Sequence, residues 1–371
     1  MKLFCDGLDL SDAVLKVSKA LSVNSSNPVL QGIKITAKAD TLTLIATDME
    51  LTIEKKIKAD VLMEGETVVV GKYFIDFVKK IEKEQVELCK LDDNGLQIKY
   101  GDSESELQTF DVSNFPVIEK DEESSYFEIK QDDFKKIVER TVFACSMDDG
   151  RPILKGCLFE TEKTADGEGN LTVVALDGFR MSVIKKAVKL KGDFKTVIPS
   201  RTLVEITRIL EKGEENVKIV LHKNTLFVEV GNTRLISRLI EGEFVKYNHI
   251  LPTTFANKVT LNKQAFLNSI ERASIFARSD KYNIIKMDVK ESVMTVSAKS
   301  EIGSFEEPIA VELKGKDMVI AFNGKYLSDF LKVIDEDFVT INLNTAIDPC
   351  VIKPVGEDEF LYLVLPVRIN A

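Results

Sequence analysis

Residues 41–57 read TLTLIATDMELTIEKKI, with apolar and polar positions alternating on either side of a polar turn, and that alternation predicts a β-hairpin with one buried face. The pattern returns in NLTVVALDGFRMSVIKKAV (170–188) and, more faintly, in SVMTVSAKSEIGSFEEPIAV (292–311). Behind each hairpin a strand feeds a helix: ETVVVGKYFIDFVKKIEK (66–83), KTVIPSRTLVEITRILEK (195–212) and DMVIAFNGKYLSDFLKVIDE (317–336). A further helix-like segment opens each unit, LSDAVLKVSKAL (10–21), QDDFKKIVERTVFA (131–144) and NKQAFLNSIERASIFA (262–277). Alternating pairs such as VKIVLHKNTLFVEV (217–230) come last. Three copies of a helix, strands, helix, strands module therefore account for the chain. They are long for a solenoid repeat and suit three similar globular domains. The expected bounds are 1–124, 125–253 and 254–371, with junctions in the acidic stretch at 121–125 and near Pro252.

In the second helix of the first module Lys72, Asp76, Lys79 and Lys83 fall at i, i+4, i+7 and i+11, opposite an apolar stripe of Phe74, Phe77, Val78 and Ile81. Arg201, Glu205, Arg208 and Lys212 repeat that order, and Lys325, Asp329 and Lys332 repeat most of it before Glu336 breaks it. On the opening helices Lys16, Lys19, Lys135, Lys136, Arg140, Lys263 and Arg272 fall on polar faces. One such stripe is an ordinary exposed face, steadied by roughly 0.2–0.5 kcal/mol per ion pair. Three in corresponding places admit a second reading, in which the modules turn basic faces to one shared surface. The pattern alone leaves both open.

Composition narrows the classes. Of 371 residues 44% are hydrophobic and 30% charged, the balance of a folded rather than a disordered chain. No run approaches the roughly 18–20 apolar residues that span a bilayer, and the N-terminus MKLFCDGLDL lacks the features of a secretory signal, so a cytoplasmic protein with no membrane partner is expected. Five cysteines at wide spacing, without a CxxC pair, argue for reduced structural thiols rather than disulfides or zinc. Only His222 and His249 could centre a catalytic triad, and His222 reads as a solvated hairpin-turn residue. Nucleotide-binding, metalloprotease and serine-hydrolase motifs are missing, and no two of the many carboxylates stand out as a pair. No metal, cofactor or catalytic residue is expected. The net charge is −10, distributed −9, +2 and −3 over the three modules. A protein that grips DNA by phosphate neutralisation is usually basic. An acidic chain with locally basic helices suits loose contact, as in a protein held on DNA by topology.

ATDME in the first hairpin, LKGCLFETE and then ALDGFRM in the second module, FNGKYL in the third and YLVLPVR at the end stand in an order and at spacings that resemble the bacterial sliding-clamp family, over essentially the whole chain. The resemblance implies an α+β fold of three repeated clamp-type modules, each with two helices lining the inside and two antiparallel sheets outside, and a head-to-tail dimer closing a ring. Duplex DNA would pass through that ring and meet its basic lining through weak, sequence-independent contacts. Non-catalytic, the clamp would tether a replicative DNA polymerase. It would need an ATP-dependent clamp loader to open it and would receive repair proteins through short peptide motifs. The rival readings are a repeat-built interaction scaffold that does not encircle DNA and a carboxylate-based hydrolase at a module junction.

Carried over position by position, the resemblance implies a partner-peptide groove. Leu154, Leu176, Asp177, Gly178, Phe179, Arg180 and Met181 form one wall, and Val245, His249, Ile250, Leu363, Val364, Leu365, Pro366, Val367 and Arg368 the rest. Phe179, Val245 and His249 depart from residues common in the family. The hairpin from Ala175 to Lys186 is one residue longer than its counterpart from Ala46 to Lys56, with Gly178 near the turn. The DNA-facing set comprises Lys16, Lys19, Lys72, Lys79, Lys83, Lys136, Arg140, Arg151, Arg201, Arg208, Lys212, Arg272, Lys325 and Lys332. The loop where the family can carry a DNA-contacting Arg holds Asn24, Ser25, Ser26 and Asn27 instead. For the dimer seam the expectation is the alternating strand with Glu104, Glu106, Leu107 and Thr109, with Phe276 packed beneath the partner's strand.

Overall fold

Among the described residues six α-helices appear where the repeat places them: α1 (Gly7–Val17), α2 (Gly71–Val78), α3 (Gln131–Thr141), α4 (Ser200–Ile209), α5 (Lys263–Ala277) and α6 (Gly324–Leu331). The computed structural model describes residues 1–22, 25–81, 85–91, 94–118, 125–164, 168–210, 213, 215–277 and 283–368. Asn24, Lys83, Lys212 and the expected junction at 121–124 lie outside the described residues. The chain divides into two compact units, Met1–Asp132 with Leu190–Gly192 and Val204–Leu239, and Asp133–Lys189 with Asp193–Leu203 and Ile240–Ala371. This division is coarser than the three repeats and passes through the second of them, because main-chain pairing continues from repeat to repeat.

In the first unit antiparallel pairing runs without a break from Asp60–Met63 through Lys2–Asp6, Gln85–Lys90, Gly95–Tyr100, Ser103–Phe110, Gly65–Val70, Gly32–Lys38, Thr41–Thr47, Leu51–Lys58, Thr233–Arg238, Thr225–Val230 and Asn216–His222 to Ser125–Lys130. Ser103–Phe110 changes partner along its length: its first six residues pair with Gly95–Tyr100, and Thr109 and Phe110 pair with Val69 and Val68. One bent strand thus joins two sheets. α1 buries Leu10, Ala13, Val14 and Val17 and packs on the hairpin Thr41–Lys58 and on α2. It begins three residues earlier than the periodicity predicts, because Asp6 Oδ1 accepts the Leu8 and Asp9 amides at 2.8 and 3.0 Å. His222 ends its strand beside a two-residue turn and is half-buried, which corrects the expectation of a solvated turn residue.

In the second unit the pairing runs from Lys195–Pro199 through Gly156–Lys163, Glu168–Leu176, Arg180–Lys191, Phe360–Val364, Cys350–Pro354, Phe338–Leu343, Asn257–Asn262, Gly303–Lys314, Val293–Ser300 and Ile284–Val289 to Met318–Asn323. Gly303–Lys314 bends between two sheets as its counterpart does, pairing first with Val293–Ser300 and then with Asn257–Asn262. α5 packs on α6 and on these strands.

Arg140 corrects the expectation of a DNA-facing side chain. Its side chain is 1% exposed. Nη1 donates to both Glu357 oxygens at 2.7 and 2.6 Å, Nη2 reaches Glu336 at 3.2 Å, and the guanidinium lies 4.9 Å from the centre of the Phe360 ring. The helical period places Arg140 on the polar side of α3, but two acidic side chains and an aromatic ring close over it. Burial, and then the Glu336 carboxylate alongside, push the Glu357 carboxyl up, while the guanidinium between the two acids opposes that rise. Removing one partner of such a cluster strands the rest. Arg140→Ala is therefore expected to destabilise the protein by on the order of 3 kcal/mol, and Arg140→Lys by less. Urea denaturation of the two variants checks this, and a loss within the error of wild type for Arg140→Ala would overturn the structural role.

Candidate functional site

Asp177 organises the turn between Glu168–Leu176 and Arg180–Lys191. Its Oδ1 accepts the Phe179 and Arg180 amides at 2.9 and 3.0 Å, and its Oδ2 takes Arg180 Nε at 2.9 Å. Gly178 sits at φ +95°, where an L side chain is strained. The first-module turn is its twin: Asp48 Oδ1 accepts the Glu50 and Leu51 amides, and Met49 holds φ 76° in the place of Gly178. Leu176 pairs with Met181 as Thr47 pairs with Thr52, with four residues between the partners in both. The extra residue of the second hairpin is thus absent from the turn, which corrects that expectation. Both turns keep one length because the Asp side chain fixes them.

Arg180 is buried between layers. Nη1 donates to Asp329 Oδ2 at 2.7 Å and Nη2 to the Phe143 carbonyl at 2.6 Å, and the guanidinium lies 4.5 Å from the centre of the Tyr326 ring. Phe179, 60% exposed, stacks on the same tyrosine at 6.4 Å. Tyr362 is buried nearby and donates its hydroxyl to the Tyr326 carbonyl at 2.9 Å. Burial pushes its phenol pKa up.

Alongside the turn lies an apolar cluster of Leu154, Leu158, Val174, Leu176, Met181, Val183, Val197, Phe244, Tyr247, Val351 and Leu363, edged by the half-buried Ile153, Ile240, Leu251, Phe255, Leu361 and Leu365. Leu154, Leu176, Met181 and Leu363 thus form its floor. Val245, His249 and Ile250 lie in the stretch that supplies Phe244, Tyr247 and Leu251 and are exposed, as are Gly178 and Phe179 in the turn before Met181. The last strand, Phe360–Val364, pairs with Arg180–Ile184, then Leu365 N donates to Phe179 O and Val367 N to Ala321 O, each at 2.8 Å. Pro366 and Val367 are half-buried and Arg368 is exposed. Val364 is 0% exposed, so it belongs to the core and not to a wall. Strand alternation turns it to the sheet face opposite Leu363 and Leu365.

Sequence reading missed Phe244, Tyr247, Leu251 and Phe255, whose only signal is an aromatic and apolar spacing in an irregular stretch. Tyr247 donates to Glu160 Oε2 at 3.2 Å, and burial together with that carboxylate pushes its phenol up to about 12.

Basic side chains at Lys19, Lys72, Lys79, Lys136, Arg151, Arg201, Arg208, Arg272, Lys325 and Lys332 are exposed, and Lys16 partly so. Many have carboxylate partners on their own surface: Lys16 with Asp12 at 2.8 Å, Lys136 with Asp335 at 3.0 Å, Arg272 with Glu307 at 2.7 Å, Lys325 with Asp329 at 2.8 Å and Lys332 with Glu271 at 2.9 Å. α2 and α6 end at Val78 and Leu331, so Lys79 and Lys332 are their C-caps and the predicted stripe outruns the helix.

The strand edges at the expected seam are open. Among the described residues no strand pairs the outer side of Ser103–Gln108, which carries Glu104, Glu106 and Leu107, while Thr109 lies just beyond in a pair with Val69. None pairs the outer side of Gly303–Ala310. Phe276 packs beside the latter, 6.1 Å from the Phe305 ring and close against Gly303.

Family models for the N-terminal, central and C-terminal domains of the DNA polymerase III beta subunit match residues 1–119, 128–246 and 248–368 in turn. A beta sliding clamp of Halalkalibacterium halodurans is 33% identical over 367 residues, 95% of each chain. The chain belongs to the DNA polymerase III beta subunit family. Solved structures agree. A DNA polymerase III beta subunit of Eubacterium rectale covers 100% of both chains at 32% identity with a TM-score of 0.93, and the DNA polymerase sliding clamp of Bacillus subtilis does so at 28% with 0.94. The function is that of this non-catalytic family, a sliding clamp that encircles duplex DNA as a ring-shaped homodimer and makes the polymerase processive. Among the described residues no helix is long and apolar enough to cross a membrane.

The beta-subunit turn at Gly178 should resist a side chain. Gly178→Ala is expected to lose about 1 kcal/mol to backbone strain and to displace Phe179, whereas Met49→Gly, which relieves strain at the twin position, should change stability little. Thermal melts of both variants check the contrast, and equal effects would show that the two turns differ in conformation.

Proposed function

We propose that the turn Asp177–Arg180, the rim at Val245, His249 and Ile250 and the half-buried Leu365–Val367 form the groove that receives partner peptides. The replicative polymerase, the ATP-dependent clamp loader and repair proteins dock there. The observation that carries this reading is the apolar cluster, with Phe179 and Ile250 exposed in the segments that supply it, together with a tail whose described residues include the main-chain donors Leu365 and Val367. A peptide burying one Leu or Phe there gains roughly 1.5–3 kcal/mol, enough for transient tethering. The exposed basic residues face DNA: Lys16, Lys19, Lys72, Lys79, Lys136, Arg151, Arg201, Arg208, Arg272, Lys325 and Lys332. Their surface ion pairs are each worth at most about 1 kcal/mol and exchange readily for phosphates. The open edges at Ser103–Gln108 and Gly303–Ala310 support head-to-tail pairing of two copies, with Phe276 beneath the seam. The modules are bounded as 1–124, 125–253 and 254–371. The protein works in the cytoplasm and carries out no reaction of its own.

After loader-assisted loading the protein is expected to stay on nicked circular DNA in gel filtration and to be lost once the circle is linearised. Equal retention on both forms would overturn encirclement and favour a scaffold. Deleting residues 366–371 should weaken polymerase binding roughly tenfold or more while sedimentation still shows a dimer and the melting curve holds. Undiminished binding would remove the tail from the groove.

A further inference from the structure

Two cationic groups share one acceptor oxygen at the meeting of the groove and α6. Asp329 Oδ2 lies 2.7 Å from Arg180 Nη1 and 2.8 Å from Lys325 Nζ. Exposure falls along this line, from 66% at the Lys325 side chain through 21% at Asp329 to 7% at Arg180. Lys325 and Asp329 stand one helical turn apart on α6, while Arg180 closes the turn that bears Gly178 and Phe179. Tyr326, between Lys325 and Asp329 on that helix, receives the Arg180 guanidinium and the stacked ring of Phe179. The Phe179 carbonyl in turn accepts Leu365 N. Hydrogen bonds and stacked rings therefore connect an exposed lysine to both sides of the groove.

We propose that Asp329 is a positioning residue that couples DNA at the Lys325 face to peptide binding in the groove. The inference rests on the DNA-facing and groove assignments above. Lys325 is exposed, so a phosphate can draw it off its carboxylate at small cost. Arg180 is buried and cannot leave without stranding a charge. With Lys325 on a phosphate, Asp329 accepts from Arg180 without a competing cation, the Asp177–Arg180 turn is held more firmly, and a peptide finds its wall already ordered. Partners then bind more tightly to protein on DNA than to free protein. Linkage makes the effect mutual, so a docked peptide strengthens the hold on DNA.

The test uses a fluorescein-labelled peptide carrying the clamp-contacting segment of the replicative polymerase from the same organism, which keeps the polymerase's own DNA contacts out of the measurement. Fluorescence anisotropy gives its affinity for the free protein and for protein loaded on nicked circular DNA, in wild type, Lys325→Ala, Asp329→Asn and Asp329→Glu. Wild type should bind about fivefold tighter on DNA. Lys325→Ala should bind, free, as wild type does on DNA and should no longer respond to DNA. Asp329→Asn should bind weakly in both states without response, and Asp329→Glu should restore part of both. Wild type retained on the circle with equal affinity in both states overturns the coupling, as does a full DNA response in Asp329→Asn. Wild type not retained on the circle refutes the DNA-facing reading on which the coupling rests.

Discussion

Continuity of main-chain pairing is the constraint on which the rest of the structure depends. An open strand edge is a template for pairing with another chain, and each unit meets this by carrying its ladder from repeat to repeat. Leu51–Lys58 continues into Thr233–Arg238, and Arg180–Ile184 into Phe360–Val364. Among the described residues the outer sides of Ser103–Gln108 and Gly303–Ala310 stay open, and both carry what blunts an edge: Glu104 and Glu106 in one, Glu306, Glu307 and Pro308 in the other. In the proposed head-to-tail dimer each closes the other. Subunit pairing then extends the ladder that already runs through each chain.

The same pairing brings two arginines out of water, and their surroundings differ from those of the basic residues left on the surface. Arg140 is held by Glu336 and Glu357, with Asp335 at 3.7 Å, and Arg180 by Asp177 and Asp329, and both lie over aromatic rings. In such places breaking a pair leaves an uncompensated charge, so the contacts persist and fix the elements they join. Lys16, Lys136, Arg272 and Lys332 also have carboxylate partners, but with side chains roughly a third to a half exposed the attraction is screened. Burial, rather than the presence of a partner, separates the charges that hold the fold from those available to a passing polyanion. An acidic protein with a net charge of −10 can therefore still present cations to DNA, loosely and without sequence preference.

Period and turn chemistry made the repeat legible: alternation on both sides of Asp48 and Asp177 located the hairpins, and the spacing of Phe74 and Val78 located α2. Tertiary closure was hidden. Nothing in QDDFKKIVERT distinguishes Arg140 from an exposed arginine, because the acids that bury it, Glu336 and Glu357, lie about two hundred residues away in sequence. Val364 stands among groove residues in the run YLVLPVR, but strand alternation turns it inward. The proposed groove was legible in its glycine turn and its tail, which carry motif residues. It was not legible at Phe244, Tyr247, Leu251 and Phe255, which sit in irregular chain where no period marks a face.

The apolar end of the chain follows from Pro366. A proline has no amide hydrogen, so the ladder that Phe360–Val364 forms with Arg180–Ile184 cannot continue through it. The donors on either side go to different elements, Leu365 to Phe179 in the Asp177–Arg180 turn and Val367 to Ala321 in the strand Met318–Asn323, and the chain bends between them. That bend leaves Leu365, Pro366 and Val367 half-buried instead of packed away as Leu363 and Val364 are. Apolar surface left in water at about 25 cal/mol per Å² is a standing driving force for association. Because each of these side chains is already partly covered, what remains to be gained is modest. Such a surface favours partners that dock and leave over one that stays.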